Sequence, residues 1–359
     1  MKSDYSFNFV AQALLQECHH VRPSLIKATT YCFCVSAAFV GALYVLVPAK
    51  VRRLDRDDPL QIKWRTFATG SVCMSAIVAY SYTFCIPNHS NSSNDYYETT
   101  IDGTDPVLVR TGFAVRPVWN LFGTLFHSMI LYIGPIAVIL MQAKLMAQAS
   151  QQPRTSSSSP SPTTSAATQD TPVPISVYLE ALQAVLFPPR IVPLSERQQE
   201  VERWISLRSK VIAPIFEEIV FRGCMVPALV ATQQIHPWAV AWLAPVFFGL
   251  AHCHHAALKI HQGEQLSRVI ISTVFQFLYT SLFGAYAAHA FLRSRSIVAV
   301  CLAHSFCNTM GLPSLYFFNN KDTPLYQYRM VLLKAHLIGV VLFALGFPTD
   351  TFLPLPNNS

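Results

Sequence analysis

The stretch Pro214-Ile-Phe-Glu-Glu-Ile-Val-Phe-Arg-Gly-Cys224 places two adjacent carboxylates and one arginine inside an otherwise apolar run. Ionisable groups within a membrane-type segment cost roughly 2.5–3.5 kcal/mol each on insertion scales, so they are candidates for function. Glu218 and Arg222 are four residues apart and share one face of a helix, with the acid N-terminal to the base. Glu217 points about 100° away from that face, because a helix has 3.6 residues per turn.

This spacing predicts that Arg222 neutralises Glu218 and that Glu217 remains a free carboxylate in an apolar site. A free carboxylate in such a place suits general acid or base catalysis. A buried ion network that only fixes helix packing has the same composition, and this stretch alone does not separate the two interpretations.

The composition is typical of a membrane protein. The 359 residues are 52% hydrophobic and 13% charged, whereas soluble domains carry about 25% charged residues. The net charge of +7 does not indicate nucleic-acid binding, because the basic residues cluster beside apolar spans and determine topology. The nine cysteines include no metal-type Cys-x-x-Cys pair, and we interpret those in apolar runs as small apolar residues.

Successive apolar runs predict an all-α polytopic membrane protein of about eight transmembrane helices. The predicted spans are 28–48, 66–86, 118–141, 204–230, 238–257, 269–292, 297–313 and 330–347. The basic loop 49–65 is expected in the cytosol, which puts loop 88–116 in the lumen. Two glycosylation sequons begin in that second loop, at Asn88 and Asn91. The same alternation places two arginines after the sixth span in the lumen, against the charge rule.

Further polar clusters lie in the later spans: Phe248-Gly-Leu-Ala-His252-Cys-His-His255, Phe275-Gln-Phe-Leu-Tyr279-Thr280 and His304-Ser-Phe-Cys-Asn308-Thr-Met-Gly311. His304 and Asn308 are four residues apart, so both present hydrogen-bond donors to one helix face. Two such donors aimed at one point can form an oxyanion hole, although each alone is also consistent with an interhelical polar contact. Glu217, His252 and His304 can meet in one cavity open to the cytosol.

The ordered set Glu217-Glu218-x-x-x-Arg222, Phe248-x-x-x-His252 and His304-x-x-x-Asn308 resembles the type II CAAX prenyl endopeptidases, the Ras-converting enzymes. These belong to a larger family of intramembrane proteases with bacteriocin-processing members. The resemblance covers roughly residues 120–313. Two positions depart from the eukaryotic pattern, because Ser209 and Phe216 stand where Asn and Thr are more frequent.

The resemblance implies an endopeptidase of the endoplasmic reticulum membrane that removes the last three residues of farnesylated or geranylgeranylated CAAX proteins, such as small GTPases. It also implies that the membrane helices enclose a cavity. We expect the active site to open to the cytosol within the lipid bilayer, with no cofactor, no metal and no nucleic-acid partner. The resemblance further implies that Glu218 and Arg222 support the site.

The catalytic roles follow from the same resemblance. Glu217 and His252 would activate the attacking water, and His304 and Asn308 would hold the oxyanion.

The expected organisation has four parts. Residues 1–146 are N-terminal transmembrane helices, and residues 147–175, rich in Gln, Ser, Thr and Pro, are a disordered linker. Residues 176–350 are the catalytic CAAX protease membrane domain, in which 178–187 is expected to form a membrane-surface helix. Residues 351–359 are a C-terminal tail.

Three alternatives remain open from the sequence. A zinc protease with Glu217, His252 and His304 as ligands is the nearest, although the chain has no His-Glu-x-x-His motif. A cysteine nucleophile at Cys224 has no clear partner base. A transporter or scaffold with a buried ion network would predict repeat symmetry, which the sequence does not show.

Overall fold

The computed structural model describes residues 23–85, 108, 110–114, 118–151, 174–186 and 194–346. All regular structure in these ranges is helical, so the predicted all-α polytopic fold is confirmed. The helices long and apolar enough to cross a membrane are Leu25–Val45, Ile133–Ser150, Leu266–Ser294 and Pro324–Gly346. Shorter apolar helices are Val118–Leu131, Ile175–Leu186, Pro237–His252 and Ile297–Met310. The enclosed cavity stays a prediction.

The third predicted span, 118–141, is not one helix. It comprises the end-to-end helices Val118–Leu131 and Ile133–Gln151, which are separated at Tyr132. Pro135 favours the break, because proline lacks a backbone N–H and is better tolerated in the first turn of a helix than in its interior. The interruption at Tyr132 puts Pro135 in that first turn.

The fifth predicted span, 238–257, is interrupted in the same way. The helix Pro237–His252 ends before a second helix, His254–His261, begins. The His254 side chain contributes to this break, because its Nδ1 lies 2.6 Å from the carbonyl oxygen of Ala251 and binds a backbone group of the preceding helix.

The predicted linker, 147–175, is corrected at both ends. The helix Ile133–Gln151 includes residues 147–151, and the helix Ile175–Leu186 begins at its last residue. Residues 152–173 of the linker lie outside the described residues, as do the two sequons and the predicted tail.

The chain divides into two compact units. One comprises Met1–Ser128, Ser195–Thr309 and Gly346–Ser359, and the other comprises Met129–Leu194 and Met310–Leu345. All six candidate site residues lie in the first unit. In the second unit, Ala181 packs the helix Ile175–Leu186 against Ala143 and Ala147 of the helix Ile133–Gln151. The helix predicted near 178–187 is therefore present, and its location at a membrane surface stays a prediction.

The centre of the first unit is a continuous helical run over 196–230, which we call the glutamate helix. It begins with a capping box in which Ser195 and Gln198 satisfy each other's backbone N–H groups. Every residue from Val220 to Val230 is buried. The glutamate helix is thus exposed at its start and buried at its end. The two glutamates lie where exposure gives way to burial.

The two arginines after the sixth span are inside the protein. Arg293 is 3% exposed and Arg295 is 7% exposed. Arg295 ends the helix Leu266–Ser294 with a positive φ of 51°, and Asn120 donates to the carbonyl oxygen of Ser294 at 2.9 Å. Because the charge rule counts residues of exposed loops, buried arginines are a poor guide to the topology of the last spans.

Candidate active site

Glu217 and Glu218 end a short α-helical piece, Ala213–Glu218, which lies between two π-helical segments. These segments are Arg208–Ile212 and Ile219–Met225. Pro214 lies two residues after the end of the first segment, and Pro227 lies two residues after the end of the second. A proline removes one backbone donor, and a wider turn is one way for a helix to accommodate that loss.

Glu218 is the centre of a buried charged network. Its Oε1 lies 3.1 Å from Arg222 Nη1, which forms the pair that the four-residue spacing predicts. The same oxygen lies 2.7 Å from His304 Nδ1. The side chains of Glu218, Arg222 and His304 are 0%, 2% and 6% exposed. Charges so deep in an apolar interior are stable only when they are paired and hydrogen-bonded.

Glu217 has a different environment. Its side chain is 18% exposed, and its Oε2 lies 3.7 Å from His304 Nε2. That distance is too long for a hydrogen bond but short enough for strong electrostatic attraction. The imidazole of His304 therefore lies between the two carboxylates, with Nδ1 toward Glu218 and Nε2 toward Glu217.

The hydrogen bond to Glu218 constrains the protons of His304. An ionised carboxylate only accepts, so the bonded Nδ1 carries a hydrogen. Nε2 then either holds a lone pair in a neutral ring or a second hydrogen in a charged one. The ring of Phe283 packs against His304 with a centroid distance of 4.6 Å and helps to hold this orientation.

His252 is connected to the network through Phe248. The Phe248 ring lies 4.6 Å from the Arg222 guanidinium carbon and 4.7 Å from the His252 ring. His252 Nδ1 lies 2.8 Å from the carbonyl oxygen of Phe248, which can only accept. Nδ1 therefore carries the hydrogen, and a neutral His252 presents Nε2 as a base.

Asn308 does not share the buried position of His304. It is exposed, and its Nδ2 donates to the carbonyl oxygen of Ser209 at 2.9 Å. The sequence predicts that both side chains aim at one point, but the structure uses one amide hydrogen of Asn308 for a bond between helices. The second amide hydrogen remains for another acceptor.

The features that sequence reasoning missed are the packing partners of the network. Gly284 allows close approach, because a Cβ there would lie 3.2 Å from Arg222 Nη2 and 2.8 Å from Pro245 Cβ. The Phe248 and Phe283 rings lie 4.6 and 5.9 Å from the Arg222 guanidinium carbon. A glycine within the long sixth span is the one sequence signal of this close packing.

Among the described residues, no group of three or more His, Cys, Asp and Glu side chains has an arrangement that could hold a metal ion. Cys224 is 0% exposed, so its thiol cannot meet a substrate without a rearrangement of the core. The side chain of His255 lies outside the described part.

The fold and site define a helical membrane protein with a buried glutamate–histidine network. Residues 199–310 match the family model described as type II CAAX prenyl endopeptidase Rce1-like. All six candidate site residues lie in that segment. The resemblance to the type II CAAX prenyl endopeptidases, predicted from the motifs, is therefore confirmed.

Curated relatives agree with the family match. CAAX prenyl protease 2 of Homo sapiens is 39% identical over 144 residues, which cover 40% of this chain and 41% of the relative. The probable CAAX prenyl protease 2 of Schizosaccharomyces pombe is 37% identical over 154 residues, covering 41% and 53%. The chain thus spans about half the length of these relatives. The Rattus norvegicus CAAX prenyl protease 2 is 27% identical over 315 residues, covering 88% and 76%.

No solved structure gave a significant match.

Proposed function

We propose that this protein is an intramembrane endopeptidase that removes the C-terminal tripeptide from prenylated CAAX proteins. The observation that carries the proposal is His304, held between the Glu217 and Glu218 carboxylates within the segment that matches the family. A purely structural ion network needs one counter-ion for Arg222. Here a second carboxylate remains partly exposed beside the network, where it can meet a substrate.

In the proposed mechanism Glu217 and His252 polarise a water molecule between them. Glu217 accepts one proton while the water oxygen bonds to the carbonyl carbon of the scissile peptide. The proton then passes from Glu217 to Nε2 of His252, the tetrahedral intermediate collapses, the C–N bond breaks, and the leaving nitrogen takes that proton from His252. The hydrogen bond from His252 Nδ1 to the carbonyl oxygen of Phe248 supports this role, because it makes Nε2 the basic nitrogen of a neutral ring.

The oxyanion would be held by His304 and Asn308. Because His304 Nδ1–H binds Glu218, the ring can donate from Nε2 only when both nitrogens are protonated. The Glu217 carboxylate, 3.7 Å from Nε2, offsets the charge of that state before the attack, and the oxyanion itself offsets it once Glu217 has taken the proton. Asn308 would donate through the amide hydrogen that Ser209 does not use.

The substrates would be farnesylated or geranylgeranylated CAAX proteins such as small GTPases. The prenyl chain would lie along the lipid-facing side of the first unit, so that only the peptide reaches the charged residues. We place the enzyme in the endoplasmic reticulum membrane with its site open to the cytosol. The basic loop 49–65 supports this orientation.

A zinc-dependent mechanism is the alternative that the experiment has to exclude. A histidine whose Nδ1–H is held by a carboxylate is also the usual arrangement behind a metal-ligating Nε2. The ligands would be Glu217, His252 and His304. We propose the metal-free mechanism, and a chelation experiment separates the two.

The test uses the purified full chain in detergent or proteoliposomes. A farnesylated CAAX peptide is incubated with it, and release of the tripeptide is measured by mass spectrometry. We expect cleavage that needs the prenyl group and persists after thorough chelation. The unprenylated peptide and the Glu217→Gln variant are the controls. Absence of tripeptide release would refute the function, and loss on chelation with recovery in zinc would refute the metal-free mechanism.

A further inference from the structure

The carbonyl of Ser209 is bonded in an unusual way for a residue inside a long helix. A helical carbonyl normally accepts from the backbone N–H four residues further on. The Ser209 carbonyl instead accepts from the side chain of Asn308, 99 residues away, at 2.9 Å. Something must therefore keep the backbone donors away from this oxygen.

Two local features remove those donors. The N–H of Ala213, which is the α-helical donor for Ser209, bonds the carbonyl of Arg208 in the π-helical pattern. The π-helical donor for Ser209 is the residue five positions on, Pro214, which has no N–H. Both the α-helical and the π-helical partner of this carbonyl are thus absent.

We propose that Pro214 is a positioning residue for Asn308. By lacking an N–H, Pro214 reserves the Ser209 carbonyl for the Asn308 amide. A carbonyl accepts only, so it selects the NH₂ end of that amide and excludes the flipped orientation. An exposed asparagine would otherwise rotate, and its Oδ1 would repel an oxyanion.

The bond also directs the remaining amide hydrogen. The NH₂ group is planar, so fixing one N–H on Ser209 fixes the direction of the other. His304 lies one turn earlier on the helix Ile297–Met310 and is held by Glu218. Both donors of the oxyanion hole are then held by the glutamate helix. This inference rests on the proposed function for its catalytic consequence but not for its geometry.

The geometry is tested by melting temperature, without any activity measurement. Asn308→Ala should lower the melting temperature of the full chain by about 1–2 °C, because it removes one hydrogen bond. Pro214→Ala supplies a backbone donor for the Ser209 carbonyl, so Asn308→Ala should cost almost nothing in that background. Additive effects of the two substitutions would overturn the proposal.

The catalytic consequence is tested with the prenylated peptide. Pro214→Ala should lower kcat about 10- to 100-fold with KM little changed, which is below the 10²–10³-fold loss typical of removing an oxyanion-hole donor. In the Asn308→Ala background it should lower kcat no further. Further loss there would show that Pro214 does not act through Asn308.

Two controls separate the missing N–H from the packing of the proline ring. Pro214→Val should behave like Pro214→Ala, because every residue other than proline restores the donor. Rescue by Val would instead indicate packing. Pro227→Ala, after the second π-helical segment, should show no coupling with Asn308→Ala. Coupling in melting temperature without any cleavage by the parent chain would support the positioning role and refute the proposed function.

Discussion

The two sides of the glutamate helix at the site differ in burial although their acids are adjacent in sequence. On the buried side, Glu218 binds both Arg222 and His304 and has no exposed surface. On the other side, Glu217 is 18% exposed and lies near Nε2 of His304 without a hydrogen bond to it. The difference supports our proposal that Glu218 supports the site and that Glu217 is available for chemistry.

The largest expected effect is on the cleavage rate, and it comes from a substitution on the partly exposed side. Glu217→Gln keeps the volume but cannot take a proton, so the cleavage rate should fall about 10²–10⁴-fold. The melting temperature should change little, because Glu217 makes no buried hydrogen bond to Arg222. Both quantities are measured on the purified protein, with the farnesylated peptide as substrate.

One pair of results would contradict the assignment of Glu217 as the base. If Glu217→Gln cleaves normally while Glu218→Gln is stable but inactive, then Glu218 is the base. The comparison between the two sides would then be reversed.

On the buried side, Glu218→Gln should destabilise the fold by about 3–5 kcal/mol, because it leaves the Arg222 charge buried without its carboxylate. Unfolding in detergent, followed by heat or denaturant, measures this loss. The double variant Glu218→Gln with Arg222→Met should recover part of the stability, since no uncompensated charge remains. A Glu218→Gln protein as stable as the parent would contradict the assignment.

A substitution that disturbs the packing around the buried side should reduce stability by a smaller amount. Gly284→Ala should destabilise by about 1–3 kcal/mol, because the added methyl group would lie 2.8 Å from Pro245 Cβ and 3.2 Å from Arg222 Nη2. Gly41→Ala is the matched control. No atom lies within 4 Å of an added Cβ there, and alanine is the better helix former by about 0.5–1 kcal/mol. Equal losses from the two variants would exclude the packing explanation.

The smallest effect is expected where the same kind of ion pair is exposed. Arg208 Nη1 lies 2.8 Å from Asp57 Oδ1, and these side chains are 24% and 48% exposed. Asp57→Asn should cost less than about 1 kcal/mol, and the cost should shrink further in high salt.

The neighbouring Asp58 caps the helix Pro59–Tyr80 by accepting from the Leu60 N–H. Asp58→Ala should therefore cost more, typically about 1 kcal/mol. The reverse order would show that the surface ion pair of Arg208 with Asp57 stabilises the fold more than the helix cap does.

Prolines accompany three of the helix irregularities that the predicted spans missed. Pro135 favours the break at Tyr132, and Pro214 and Pro227 each follow a π-helical segment by two residues. The hydrophobic pattern alone does not detect such changes, because a broken span and a widened turn remain apolar. Prolines within apolar runs are the sequence signal of such changes, but they do not say whether a helix breaks, widens or continues, as the helix Pro237–His252 does through Pro245.

The sequence by itself determined the all-α membrane class, the residue types of the site and the Glu218–Arg222 pair. That pair follows from spacing within one helix, where the backbone repeat decides which side chains meet. Only the tertiary structure decided that His304 lies between the two glutamates, since Glu218 and His304 are 86 residues apart. The same holds for Asn308 and the Ser209 carbonyl. Contacts between helices depend on how their surfaces pack, and no periodicity along a single helix contains that information.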